Sequence, residues 1–158
     1  MPASSATNVS YLARVAGQFW EHVDIEILDL PAAGNDQQGN PVAPVAPVAP
    51  VTHIPEALRN RLKEYDQIIA AVYSRSPNIE QLQAEPVKEL IGLRSDVIVV
   101  ALGNPYDIRN FPLVDTYVVT YGFREVQVEA LFRVLTGVIK PTGQLPVEIR
   151  GLFPRWHA

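Results

Sequence analysis

The chain has no cysteine among its 158 residues, only one methionine and two tryptophans. Without cysteine there can be no disulfide, no thiolate metal site and no cysteine nucleophile, and the redox compartment is left open. A charge excess of one sign is also missing. Thirteen Lys and Arg stand against 17 Asp and Glu, for a net charge of −4 and a pI near 5.3. Nucleic acids and anionic membranes reward a basic face, so neither is expected as a partner. No run approaches the ~18 consecutive apolar residues of a membrane span. Residues 1–17 carry a single basic side chain, Arg14, and do not read as a secretory signal. A soluble, cytoplasmic chain is the expectation.

What the sequence has in surplus is proline, 14 residues, about twice the ordinary share. Pro-Val-Ala occurs three times in succession over residues 41–49 and is followed by Pro50-Val51. Proline at every third position fixes φ and removes a backbone donor each time, which prevents a helix or a central strand. The pattern suits an extended polyproline II spacer. Residues 31–54 are therefore read as a Pro-Val-Ala-rich loop inserted in a single α/β domain over residues 1–158. The run lacks the flanking charges of a docking site for a proline-binding module.

Outside that loop the hydrophobic pattern is regular. Val9, Leu12, Val15, Ala16, Phe19 and Trp20 recur at helical spacing, with Thr7 or Asn8 available as a cap. In residues 23–27 apolar and acidic residues alternate, which predicts a half-exposed edge strand with Asp24 and Glu26 on the wet face. A short charged helix is predicted over 56–65, with Leu58 and Leu62 inward. Residues 66–73, 96–102 and 116–121 are continuous apolar runs rich in β-branched residues, as in strands buried on both faces. A helix over 79–93, started or kinked at Pro86, lies between the first two. Residues 124–136 form an amphipathic helix with Val128, Leu131, Val134 and Leu135 inward and Gly137 as its stop. Residues 145–149 end the pattern as an extended segment. Alternation of helices with buried strands implies an open, mostly parallel sheet sandwiched by helices, Rossmann-like or flavodoxin-like, in which the expected first strand is missing.

Open α/β sheets bind ligands beyond the carboxyl ends of their strands, which directs attention to the loops after Tyr73, Leu102 and Tyr121. The second of these reads Gly103-Asn104-Pro105-Tyr106-Asp107. Glycine permits a tight exit, Asn-Pro an extended turn, and Asp107 is expected to cap a short helix. Asn104, Pro105, Tyr106, Asp107 and Tyr121 form the candidate ligand or interface loop. There is no Gly-rich phosphate cradle with its lysine, so a nucleotide site is not expected. Of the acidic pairs, Asp24 with Glu26 and Glu125 with Glu129 read as solvated surface charge. Asp107 and Asp115 flank strand ends with nothing nearby to raise a carboxyl pKa. His22, His53 and His157 lack metal-ligand spacing. Ser74, Ser76 and Ser95 lack a nucleophile elbow. The residues themselves supply no catalytic set, no metal site and no cofactor site.

Residues 97–102 with Gly103-Asn104-Pro105-Tyr106-Asp107 resemble the C-terminal domain of glycoside hydrolase family 3, in particular bacterial β-N-acetylhexosaminidases of that family. Tyr121-Gly122, Gly137, Pro141-Thr142-Gly143-Gln144-Leu145-Pro146-Val147 and Gly151-Leu152-Phe153-Pro154-Arg155 fit the same pattern. The resemblance is specific over residues 96–155. It departs from the family at Gln144, where lysine is usual, and at Trp156, where glycine is usual. It implies that the aspartate nucleophile, and the His–Asp acid/base pair of the N-acetylhexosaminidases, reside in a (β/α)8 barrel that 158 residues cannot also hold. In other subgroups this domain lends a glutamate to the active site, and no motif around Glu80, Glu85 or Glu89 matches it. The resemblance implies an inactive domain partnered by a catalytic barrel domain or subunit, with self-association the other option. The competing readings are a free-standing flavodoxin-like module for a small ligand or protein, and an autonomous small glycosidase.

Overall fold

The computed structural model describes residues 5–26, 28, 53–74 and 81–157. The polyproline expectation for 41–51 lies outside these residues. The element order is α1 (Ser5–Ala16), α2 (Glu56–Arg61), β1 (Ile69–Val72), α3 (Gln81–Leu93), β2 (Ile98–Ala101), a 3-10 helix (Pro105–Asn110), β3 (Thr116–Val119) and α4 (Glu125–Leu135). The three strands form one parallel sheet in the order β1-β2-β3, with Ile69 opposite Ile98 and Ile98 opposite Thr116. This is the open α/β sandwich that the pattern predicts.

β2 explains the layering. Its Val99, Val100 and Ala101 are fully buried, so both faces of the sheet need cover. On one face Ala70, Val72, Val97, Val99 and Ala101 pack with Ala84 and Val87 of α3 and with Phe111 after the 3-10 helix. On the other, Val100 and Leu102 pack with Leu131 of α4. α1 then lies against α4, where Val15 and Ala16 join Val128 and Phe132, and the Trp20 and Phe132 rings meet edge to face at 5.3 Å. Phe132, absent from the inward set read from the sequence, is the centre of this second layer.

Several expectations need correction. Helix α1 begins by Ser5, so Thr7 and Asn8 lie inside it and cannot cap it. Residues 23–26 are exposed and form no strand, because no described strand pairs with them. Asp24 instead accepts hydrogen bonds from Arg61 and the Tyr65 hydroxyl, and Glu26 pairs with Arg61 at 3.7 Å. Helix α2 stops at Arg61, short of Tyr65, although Leu62 is buried as expected. β1 and β3 are edge strands among the described residues and are not buried on both faces. Ala71 in the middle of β1 is exposed, and β3 is at most half-buried. α3 runs through Pro86, which is fully buried, and does not start there. Residues 145–149 add no strand. Leu145 instead exchanges backbone hydrogen bonds with Trp156 and His157, and Ile149 bridges Phe153.

The connections are fixed by charge. Arg94 Nη1 donates to the Leu62 and Tyr65 carbonyls at 2.9 and 2.5 Å, and its Nε donates to Asp96 at 2.8 Å. One guanidinium thereby locks the α2–β1 turn to the α3–β2 turn. Glu89 ties α2 to α3 by accepting from the Ile54 amide at 2.8 Å and from Arg59. Gly137 closes α4 at φ 74°, as its position in the sequence predicts.

Because Phe132 is nearly fully buried between two helices, Phe132→Ala should cost about 3–5 kcal/mol of stability through lost transfer energy and the cavity left behind. Val126→Ala, on the same helix but 71% exposed, should fall within about 0.5 kcal/mol of wild type. Denaturant melts of the two variants compare these costs. Equal losses would remove Phe132 from its central place.

Candidate functional site at the carboxyl end of the sheet

The three strands run parallel, so their carboxyl ends open on one side of the molecule. Tyr73 and Ser74 after β1, Leu102 to Pro105 after β2, and Tyr121 to Phe123 after β3 line a cleft of about 520 Å³. Gly103 makes the close approach possible, since a Cβ there would sit 3.0 Å from the Ser74 carbonyl oxygen and 3.3 Å from the Tyr73 ring. Across the cleft, the Tyr73 and Phe123 rings meet edge to face at 5.0 Å and 84°.

The far wall is a strained turn into α4. Tyr121 adopts φ 56°, a left-handed conformation that a side chain with a Cβ rarely occupies. It is held there by its neighbours. Thr120 donates from its amide to Ala101 and from its hydroxyl to the Gly122 carbonyl at 2.5 Å. The Gln127 side chain folds back over Gly122 to accept from the Arg124 amide at 3.0 Å, while the Gln127 amide donates to the Arg124 carbonyl. This satisfies the first turn of α4. Tyr121 is left half-exposed on the rim, where partial burial raises its phenol pKa.

The floor is built by Asn104 and Asp107, with roles that differ from those expected. Asn104, not Asp107, is the cap of the 3-10 helix. Its Oδ1 accepts from the Tyr106 amide at 3.1 Å. Asp107 lies in that helix's first turn and is completely buried. Its Oδ1 accepts from the Ser74 hydroxyl at 2.6 Å, and its Oδ2 has no partner among the described residues. Burial outweighs the serine bond and raises the carboxyl pKa above its ordinary 3.8. The reading that nothing near Asp107 perturbs it is thus overturned. The sequence offered no sign that the Ser74 end of β1 would close over it from 33 residues away. Tyr117 is pushed up as well, by burial first and by the Asp107 carboxyl second.

Of the five candidate residues, Asn104, Pro105 and Tyr121 line the cleft. Asp107 lies beneath, linked through Ser74. Tyr106 is outside the lining, with the Arg109 guanidinium 4.9 Å from its ring centre. Tyr73, Ser74 and Phe123 complete the lining. Their loops were located in advance by the strand-end rule, but the residues were not. The acidic pairs remain apart from the cleft. Glu125 pairs with Arg14, Glu129 with Arg133, and Asp24 with Arg61. Asp115 is exposed. No group of three metal-ligating side chains exists among the described residues, and no helix among them is long and apolar enough to cross a membrane. The lining contains aromatic rings, one side-chain amide and the hydroxyls of Tyr73, Ser74 and Tyr121, and no charged side chain. Such a surface can hold a neutral polar group or a protein loop. It has no acid/base pair for hydrolysis.

No family model and no curated protein matches the chain. Among solved structures, one chain is similar over 94% of this chain, with a TM-score of 0.69 and 23% sequence identity. It is described as a fungal multi-domain GH3 β-N-acetylglucosaminidase in which a unique GCN5-related glucosamine N-acetyltransferase region exists. The likeness is one of fold. The present chain spans 15% of that protein's length.

The buried Asp107 makes a pH-dependent contribution to stability. A carboxyl whose folded pKa lies above its unfolded value of about 3.8 binds its proton more tightly when folded. Its stabilisation is complete below pH 3.8 and is lost as pH rises through the raised folded value. Asp107→Asn removes this loss and keeps an acceptor for Ser74. The stability of the variant relative to wild type should therefore increase from pH 3.5 to pH 7 in urea melts. A difference that stays flat with pH would contradict the burial of an ionisable group here.

Proposed function

We propose that the protein is a non-catalytic α/β accessory domain of the glycoside hydrolase family 3 type, akin to the C-terminal domain of β-N-acetylhexosaminidases, and that it packs against a catalytic barrel outside this chain. The observation that carries the reading is the likeness of nearly the whole chain, at TM-score 0.69, to a stretch of a multi-domain GH3 β-N-acetylglucosaminidase. The resemblance over residues 96–155 supports it independently, because the matching residues have structural work in this fold. Asn104 caps the 3-10 helix, Gly103 admits the β1 end, Tyr121-Gly122 makes the turn into α4, and Gly137 ends that helix.

The placement of the carboxylates supports the non-catalytic half of the reading. Glycoside hydrolysis needs two carboxyl groups flanking one bond. Among the described residues only Asp107 is near the cleft, and it is buried. The exposed, uncharged cleft with Tyr121 and Phe123 on its rim suits contact with a neighbouring domain. The cleft also favours a second reading, a binding module for a small neutral ligand. The N-acetyltransferase region named for the similar structure raises acetyl-coenzyme A as a candidate ligand. The lining provides no lysine or arginine for its phosphates.

The isolated chain should not hydrolyse an aryl N-acetyl-β-D-glucosaminide, and its melting temperature should be unchanged by N-acetylglucosamine or acetyl-coenzyme A. Turnover abolished by a single Asp or Glu substitution would overturn the non-catalytic reading. A ligand-induced rise in melting temperature that is lost in Asn104→Ala would establish the binding module in its place.

A further inference from the structure

Helix α1 is attached to the rest of the fold by side chains alone. Among the described residues, the backbone hydrogen bonds of residues 5–26 stay within that segment, whereas the three strands are joined by their ladder. Its polar links to the body are the Arg14–Glu125, Arg61–Asp24 and Arg61–Glu26 ion pairs and the bond from the Tyr65 hydroxyl to Asp24. The ion-paired side chains are exposed, and solvated pairs of this kind hold weakly.

The attachment that remains is apolar. Leu12, Val15, Ala16, Phe19 and Trp20 recur at i, i+3, i+4, i+7 and i+8, and they seat against Val128, Phe132 and Leu135 of α4 and Ile69 of β1. This is the spacing by which an amphipathic helix is recognised in a groove. Phe132 is the centre of the seat, stacked with Phe19 at 6.1 Å and edge-on to Trp20 at 5.3 Å. The fit fails at one atom. The Tyr11 hydroxyl is buried with no hydrogen-bond partner among the described residues, and an unmet polar atom opposes docking. In the chain, the segment is joined to α2 through residues 27–52, which include the three Pro-Val-Ala repeats. A tether of this length gives the helix an effective concentration on the order of millimolar at its own seat.

We propose that residues 5–26 are a detachable arm, and that the α4 groove also takes the arm of a second copy, so that two chains exchange arms reciprocally. The occupant is named by what already sits there. The groove fits the register of Leu12, Val15, Ala16, Phe19 and Trp20, and the arm of another copy is chemically identical. The exchanged dimer buries the same seam as the monomer and gains no new contact. It is therefore populated only as the chain concentration approaches the effective concentration of the tethered arm. Arm exchange is independent of the accessory-domain reading.

The chain has no cysteine, so single thiols can mark the two sides of the seam. Arg14 Nη2 and Glu125 Oε1 lie 2.9 Å apart on exposed side chains, and Arg14→Cys and Glu125→Cys leave the apolar seat untouched. Whole chains carrying one substitution each are mixed, left to equilibrate and treated with a short bismaleimide. The covalent heterodimer should be at least about tenfold more abundant after mixing at about 1 mM than at about 10 μM. Lys88→Cys in place of Glu125→Cys supplies the control, since Lys88 is on α3 across the sheet. It should give at most about a tenth of the heterodimer. Amide hydrogen exchange of the unsubstituted chain, read by NMR at about 50 μM, gives a second readout. The amides of Leu12 to Val15 should exchange at least about a hundredfold faster than those of Val99 and Val100, because arm release leaves the sheet closed. Equal protection of the two sets would overturn the proposal, by showing that α1 leaves only when the whole domain unfolds. A heterodimer yield that matches the Lys88→Cys control, or that does not rise with concentration, would overturn it as well.

Discussion

A parallel strand with no polar side has to be covered twice, and β2 is that strand here. Val99, Val100 and Ala101 have no access to solvent, so helices must occupy both faces and the flanking strands must be close enough to share them. The remaining architecture follows from meeting that demand with few elements. α3 and Phe111 cover one face, α4 covers the other, and α1 extends the second layer through Phe132. Because the strands run the same way, meeting the demand also brings three loops together at one end. The cleft is thus a by-product of burying β2, given its shape by Gly103 and the Tyr121 turn.

The sequence revealed what depended on apolar period and little of what depended on partners. β2 was legible because every residue in 97–102 is apolar, and α4 because its stripe and Gly137 agree. Residues 23–26 misled because alternation states which faces a strand would have without supplying a strand to pair with. The acidic members of that alternation are taken up by Arg61 and Tyr65, about 40 residues on. β1 misled in the other direction. Its apolar run reads as a strand buried on both faces, yet Ala71 is bare because nothing described lies beyond it. Period reports the environment a segment is suited to, whereas the structure reports the environment it has among the described residues.

The site was legible to a similar depth. The loops could be located from topology, since strand ends in parallel sheets converge. Within the 103–107 loop, the two polar residues exchange the roles that local rules assign. Asn104 caps, and Asp107 is buried against Ser74. The exchange has a simple physical origin. Asn104 precedes Pro105 in extended conformation at φ −109° and ψ 119°, the geometry that the residue before a proline prefers and an N-cap requires. Three residues further on, Asp107 has already turned into the helix and faces the sheet. The cleft above it is lined by no charged side chain, so its chemistry was not written in the charge pattern.

Outside the cleft, several carboxylates of the described residues are held by arginine. In this chain the acidic side chains near element ends are paired with arginine. Asp96 is held by Arg94, whose hydrogen bond lowers its pKa, Glu89 by Arg59, and Asp24 by Arg61. Arg59–Glu89 and Arg61–Asp24 join separate segments of the chain, while Arg94 and Asp96 share the α3–β2 turn. Asp107, the exception, is raised but sealed, with Ser74 between it and the cleft. A carboxyl group in that position can set how firmly the β1 end is held to the loop after β2.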